Sequence, residues 1–188
     1  MTTVLWLLCL QGALGGFDTV YYHEWRARLP AGGERTRPEL SLHAARSLIY
    51  AVVFGTLPWI AWRGPWAVLL ALLLAAEIVV TLCDFLVEDR VRTPLGGVFP
   101  GERVTHAVMG IVYGAMLAHL VPELLRWAAE PAGLRWEPVA PSWLRHVLAV
   151  MAVGVAASGL RDLLASLAVP GSAWPWRPAA GGGGDGPG

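Results

Sequence analysis

Lysine is absent from this 188-residue chain, and charged residues of every kind make up only 15% of it. So little charge cannot clothe a soluble domain of this size. The formal net charge is zero, which leaves no basic face and argues against a nucleic-acid partner. Cysteine is scarce too: Cys9 and Cys83 both lie in apolar runs and read as small buried hydrophobes. There is no CxxC and no Cys/His cluster of zinc spacing.

What remains is apolar. Hydrophobic residues make up 55% of the chain, and the mean hydropathy is +0.52. Five runs approach the roughly 20 residues needed to span a bilayer: about 3–22, 41–62, 66–88, 104–127 and 143–167. The sequence therefore predicts an all-α integral membrane protein with about five transmembrane helices over residues 1–168. Span 1 carries Asp18, and span 3 carries Glu77 and Asp84, so both are expected to line a bundle rather than face lipid. Ala13-Leu14-Gly15 resembles a signal-peptide cleavage site, but no basic segment precedes the run. The run is accordingly expected to be a retained span. Beyond residue 168 the chain turns Pro/Trp/Gly-rich, and 169–188 is expected to be disordered, with Trp174 and Trp176 at the lipid interface. Trp residues near the span ends fit the same aromatic belt.

Arginines set the expected orientation. The 1–2 and 3–4 loops hold Arg26, Arg28, Arg35, Arg37, Arg90, Arg92 and Arg103, against Arg63, Arg126, Arg135 and Arg145 on the other side. That bias predicts a bacterial inner-membrane protein with its N-terminus outside and its C-terminus cytoplasmic.

A polar stripe then appears twice. Glu39, His43 and Tyr50 in span 2 match Glu102, His106 and Tyr113 in span 4, at i, i+4 and i+11. Those positions fall within about 40° on one helix face. Aligning 38–57 with 101–120 gives identity at Glu, His, Ala, Tyr and Leu. The odd spans carry stripes as well: Gln11, Gly15, Asp18 and Tyr22 in span 1, and Glu77, Thr81, Asp84 and Glu88 in span 3, both spaced 0, 4, 7, 11. An internal repeat over 8–57 and 74–120 follows, with two similar helix pairs forming the bundle and span 5 packed outside through Gly154, Ala156, Ala157 and Gly159.

Depth sorts these groups into layers. Asp18 and Asp84 lie roughly 10 Å in from the span ends, and His43 and His106 roughly 6 Å, so the four can share a layer. Glu39, Glu88 and Glu102 sit just above it. Glu77 lies about 10 Å deeper, with Gln11, Tyr50 and Tyr113. Two histidines and several carboxylates from four helices form the donor set of a dinuclear carboxylate centre, although the motif here is Glu-x-x-x-His, with Asp on the other helices. The candidate ligands are Asp18, Glu39, His43, Asp84, Glu88, Glu102 and His106. Imidazole and carboxylate suit two divalent ions, iron or manganese ahead of zinc, and nothing soft favours copper. The three-box histidine pattern of membrane desaturases is absent, since five histidines cannot supply it.

These features predict a membrane oxidoreductase acting on a lipophilic substrate drawn from the membrane lipid, with Tyr50, Tyr113 and Glu77 near the reaction. Two alternatives stand beside it. One is a proton- or ion-coupled carrier using Asp18, Glu77 and Asp84. The other is a non-catalytic subunit or haem anchor with His43 and His106 as axial ligands. As plain structural pairs, His43 would bond Asp18 and His106 would bond Asp84. His23-Glu24 reads as interfacial and solvated, and Arg161 with Asp162 as a local pair.

Overall fold

A computed structural model describes residues 1–176. Its elements are α1 (Thr2–Phe17), continued by a π-helix (Asp18–Arg26), α2 (Arg37–Thr56), β1 (Ile60–Arg63), α3 (Pro65–Arg92), α4 (Pro100–Ala128), β2 (Gly133–Trp136) and α5 (Ser142–Ser166). Pro38, Pro65 and Pro100 sit in the first turns of α2, α3 and α4, where a missing N–H costs nothing. The stretch Thr93-Pro94 with Gly96 in the left-handed region ends α3 and turns the chain into α4.

Four helical segments are long and apolar enough to cross a membrane: Thr2–Arg26, Pro65–Arg92, Pro100–Ala128 and Ser142–Ser166. Their outward positions are large and apolar, as at Leu72, Leu86, Ile111, Leu125 and Val150, which suits a lipid surroundings. Span 2, expected over about 41–62, is shorter and more polar than the sequence suggested. α2 ends at Thr56, not at residue 62, because Pro58 constrains Leu57 and cannot donate to the helix. Residues 60–63 instead pair antiparallel with β2, Ile60 opposite Trp136 and Arg63 opposite Gly133. Arg37, Glu39 and Arg46 lower the hydropathy of α2; the neighbouring helices shelter Glu39 and Arg46, while Arg37 is exposed.

The placement of α5 also departs from expectation. It does not pack outside a four-helix bundle. The helices close a ring: α1 lies on α4 and α5, α4 on α3, α3 on α2, and α2 on α5. Gly159 explains the close α2–α5 approach, because a Cβ there would lie 2.5 Å from Ser47 Cβ and 3.4 Å from the Ala44 carbonyl. Gly154, expected to help, meets nothing within 4 Å.

Inside the ring, the end bearing the two-stranded sheet is filled by Leu5, Leu8, Phe54, Leu70, Met116, Leu120 and Leu148. Tryptophans gather around that end: Trp59 stacks on Trp136 at 5.3 Å, and Trp6 meets Trp143 edge-on at 5.2 Å. At the other end the interior is polar. Residues 169–176, expected to be disordered, form turns held there by Arg161, which donates to the Trp174 carbonyl, and by Trp176, which donates to Glu24. The remaining tail, 177–188, lies outside the described residues. Arg161 pairs with Glu24 rather than with Asp162, which is itself buried.

Candidate metal centre

The polar end is built from one stretch each of α1/π-helix, α2, α3 and α4. The expected partners are exchanged. His106 Nε2 lies 3.1 Å from Asp18 Oδ2, and His43 Nε2 lies 3.3 Å from Asp84 Oδ2. Packing dictates this: α1 lies on α4 and α3 on α2, so each aspartate reaches the histidine of the other helix pair.

Around the first of these pairs a four-residue group closes. His23 Nε2 is 3.3 Å from both Asp18 Oδ2 and Glu102 Oε1. One ligand atom from each of Asp18, His23, Glu102 and His106 can be chosen so that all lie within 4.8 Å of one another. A tetrahedral ion with bonds of about 2.0–2.1 Å places its ligands roughly 3.3–3.4 Å apart; three of the six separations here, at 3.1–3.3 Å, match it, and the others lie within 4.8 Å. Asp18 Oδ1, His23 Nε2 and Glu102 Oε2 are buried with no hydrogen-bond partner. Such atoms each cost about 1–3 kcal/mol when left unmet. The donor set therefore fits a cation.

His23 is the member that sequence reasoning missed, having been read as solvated; it is only 5% exposed. In an α-helix residues five apart point about 140° away from each other, so Asp18 and His23 look divergent. The chain is π-helical over Asp18–Arg26, where i→i+5 bonding returns residues five apart to one side.

The other expected ligands occupy the same layer in different company. Asp84 takes Arg46 Nη1 at 3.2 Å in addition to His43. Glu39 is clamped by Arg92, Nε to Oε1 at 3.0 Å and Nη2 to Oε1 at 2.7 Å. The same Nη2 donates to Glu102 Oε1 at 3.2 Å. Glu88 stands 3.6 Å from His106 Nδ1 and 3.8 Å from Arg92. Arg92 is the second residue missed. It was counted as a loop arginine, yet it is 1% exposed. Its i,i+4 spacing from Glu88 was the available signal.

The layer thus buries five carboxylates (Asp18, Glu39, Asp84, Glu88 and Glu102) against the guanidiniums of Arg46 and Arg92. With the histidines neutral its formal charge is −3. Uncompensated charge of that size is prohibitive away from water. Protons on His43, His106 or the carboxyls would offset part of that charge, and a divalent cation would remove two of the three.

Haem does not fit between His43 and His106. The His23 ring stacks on His43 at 4.5 Å and lies 6.4 Å from His106, filling the space a porphyrin needs.

The deeper layer holds Gln11, Tyr50, Glu77 and Tyr113. Gln11 donates to the Tyr50 hydroxyl at 3.2 Å, Thr81 donates to Glu77 at 2.8 Å, and the two tyrosine rings lie 6.2 Å apart. Two cavities flank the layers. One, of about 310 Å³, lies between α3 and α4 and is lined by Glu77, Phe85, His106 and Tyr113. The other, of about 540 Å³, lies between α1 and α5 and is lined by Asp18, Ser47, Gly154 and Arg161.

No protein-family model, curated protein or solved structure matches this chain.

Proposed function

We propose that the chain is a membrane-embedded metalloprotein of the oxidoreductase class, with one divalent ion held by Asp18, His23, Glu102 and His106. The observation that carries this reading is the four-donor group itself, one ligand atom from each of Asp18, His23, Glu102 and His106 within 4.8 Å of the others, with Asp18 Oδ1 and Glu102 Oε2 beside it lacking a protein partner. Two imidazoles and two carboxylates suit iron or manganese, then zinc. Redox or Lewis-acid chemistry would come from the ion. Glu88, beside His106 Nδ1, orients that ring so that Nε2 faces the ion. Arg92 balances Glu39 and Glu102 and keeps the layer compact. A second ion, expected from the duplicated motif, has less support, because Arg46 and Arg92 supply the positive charge beside Asp84 and Glu39.

The lipophilic substrate enters through the flanking cavities, and Tyr50, Tyr113 and Glu77 line the smaller of them. A carrier would need Asp18, Glu77 and Asp84 to act as one relay. Asp18 and Asp84 are instead each held by a histidine, while Glu77 stays in the deeper layer.

Metal analysis of the purified chain tests the reading. About one tightly held ion per chain is expected after exchange against chelator resin. Protein grown with iron, manganese and zinc all present yet holding none of them would overturn it. The arginine bias, six to four once the buried Arg92 is set aside, supports a metal layer near the cytoplasmic face of the inner membrane. A cysteine replacing Ala132, exposed in the turn before β2, should then label from outside intact cells, and labelling only after lysis would reverse the orientation.

A further inference from the structure

We propose that the two flanking cavities form one binding site for an elongated neutral lipophile bearing a hydroxyl, and that Gln11 anchors that hydroxyl. This rests on the reading of the layer as a metal centre, for which it names the class of substrate.

The cavities meet at the centre of the ring, where Gln11, Arg46, Tyr50 and Met109 line both. Each also reaches the outer apolar face. Val20 lines the larger and is 67% exposed, and Leu82 lines the smaller and is 56% exposed. A molecule can therefore enter from lipid on either flank and pass through the junction. Glycines leave the room: Gly16 and Gly154 at the larger cavity, and Gly110 and Gly114 at the smaller, have nothing within 4 Å of an added Cβ.

The junction contains one unmet polar atom. Gln11 is 4% exposed, its Nε2 donates to Tyr50, and its Oε1 has no partner. A hydroxyl satisfies that position whichever way the amide is turned, donating to Oε1 or accepting from Nε2. An ether or a carbonyl, which can only accept, satisfies it in just one orientation. Charge narrows the class further. Arg46 faces Glu77 in the smaller cavity, and Arg46 and Arg161 face Asp18 and Glu24 in the larger, so acids and arginines balance in each and neither offers net charge to an ionic head. Gln11 lies seven residues before Asp18, roughly 10 Å along the helix. The hydroxyl is thus an anchor, and the part of the molecule beside the ion belongs to its apolar body.

The test is photolabelling of the full chain in nanodiscs with tetradecyl diazirine probes that differ only at one end: hydroxyl, methyl ether or carboxylate. The hydroxyl probe should label the cavity-facing stretches of α1 and α5 about tenfold more than either other probe, the worth of one buried hydrogen bond. Gln11→Leu should bring the hydroxyl probe down to the ether level, and Gly154→Leu should reduce all three by filling the larger cavity. Competition separates the two sources of this chemistry. Displacement by dodecanol identifies a fatty alcohol, and displacement by decyl hydroquinone identifies a quinol. Equal labelling by hydroxyl and ether probes, on wild-type protein alone, overturns the inference. Metal content measured on the same samples keeps the two readings apart. Metal without hydroxyl preference sinks this inference only, and hydroxyl preference without metal sinks the metal centre only.

Discussion

The Asp18–His106 and Asp84–His43 pairs occupy matching positions in the two helix pairs, at 3.1 and 3.3 Å, yet they are completed by different groups. Asp84 receives Arg46. The residue aligned with Arg46 in the second stripe is Met109, which brings no charge. Asp18 meets His23 instead, and His23 in turn meets Glu102. One half-site therefore has an arginine on its aspartate, while the other gathers four donors around its aspartate and meets an arginine only at Glu102; each half keeps a buried aspartate Oδ1 without a partner. The two similar stripes supply the frame, and a single position, arginine in one and methionine in the other, sets the charge each brings to its aspartate.

The strongest way to break this comparison is to remove one histidine from each half. His106→Ala and His23→Ala should each lose bound metal by more than the roughly 10–100-fold in affinity that removing a ligand's own hydrogen-bond partner costs. His43→Ala should keep the metal and lower only stability. Metal content of the three variants, purified side by side, gives the answer. Equal loss from His43→Ala and His106→Ala would restore the symmetric dinuclear centre suggested by the paired motifs.

A second test makes the halves alike. Arg46→Met copies Met109 into the first stripe and leaves buried Asp84 with His43 alone. Losing one partner of a buried ion pair costs about 3–5 kcal/mol, so the variant should unfold at markedly lower temperature in detergent. Arg46→Lys, which keeps the charge, should recover much of that loss. An unchanged melting curve for Arg46→Met would mean that Asp84 does not depend on the guanidinium, and the contrast between the halves would fall.

The sequence made the layers legible because rare polar residues recur at α-helical spacing in apolar runs. Asp18, His43, Asp84 and His106 do share one layer, and Gln11, Tyr50, Glu77 and Tyr113 another. What it hid depends on departures from that spacing or on packing. His23 joins the site only through the π-helix, which a 3.6-residue period cannot reveal. The exchange of Asp–His partners depends on which helices touch, and α-helical periodicity carries no information about neighbours. The ring position of α5 turns on one glycine, Gly159 against Ser47, among several small residues that looked equivalent. Pro58 was readable as a helix stop, but the apolar run through Trp62 masked it.

The smallest expected effect lies at the opposite end of the molecule and sharpens the argument from burial. Arg126 there bonds Glu123 and Glu130, both at 2.7 Å, which is closer than the 3.2 Å between Arg46 and Asp84. Distance alone would rank Arg126 as the more important residue. Its side chain is 55% exposed, however, whereas that of Arg46 is 15% exposed. Exposed pairs give back in desolvation and side-chain entropy most of what they gain. Arg126→Ala should therefore cost less than about 1 kcal/mol, leave metal content unchanged, and shift the detergent melting curve far less than Arg46→Met. A loss comparable to that of Arg46→Met would show that burial is not what separates the two ends, and that the polar layer holds no special claim on the stability of the ring.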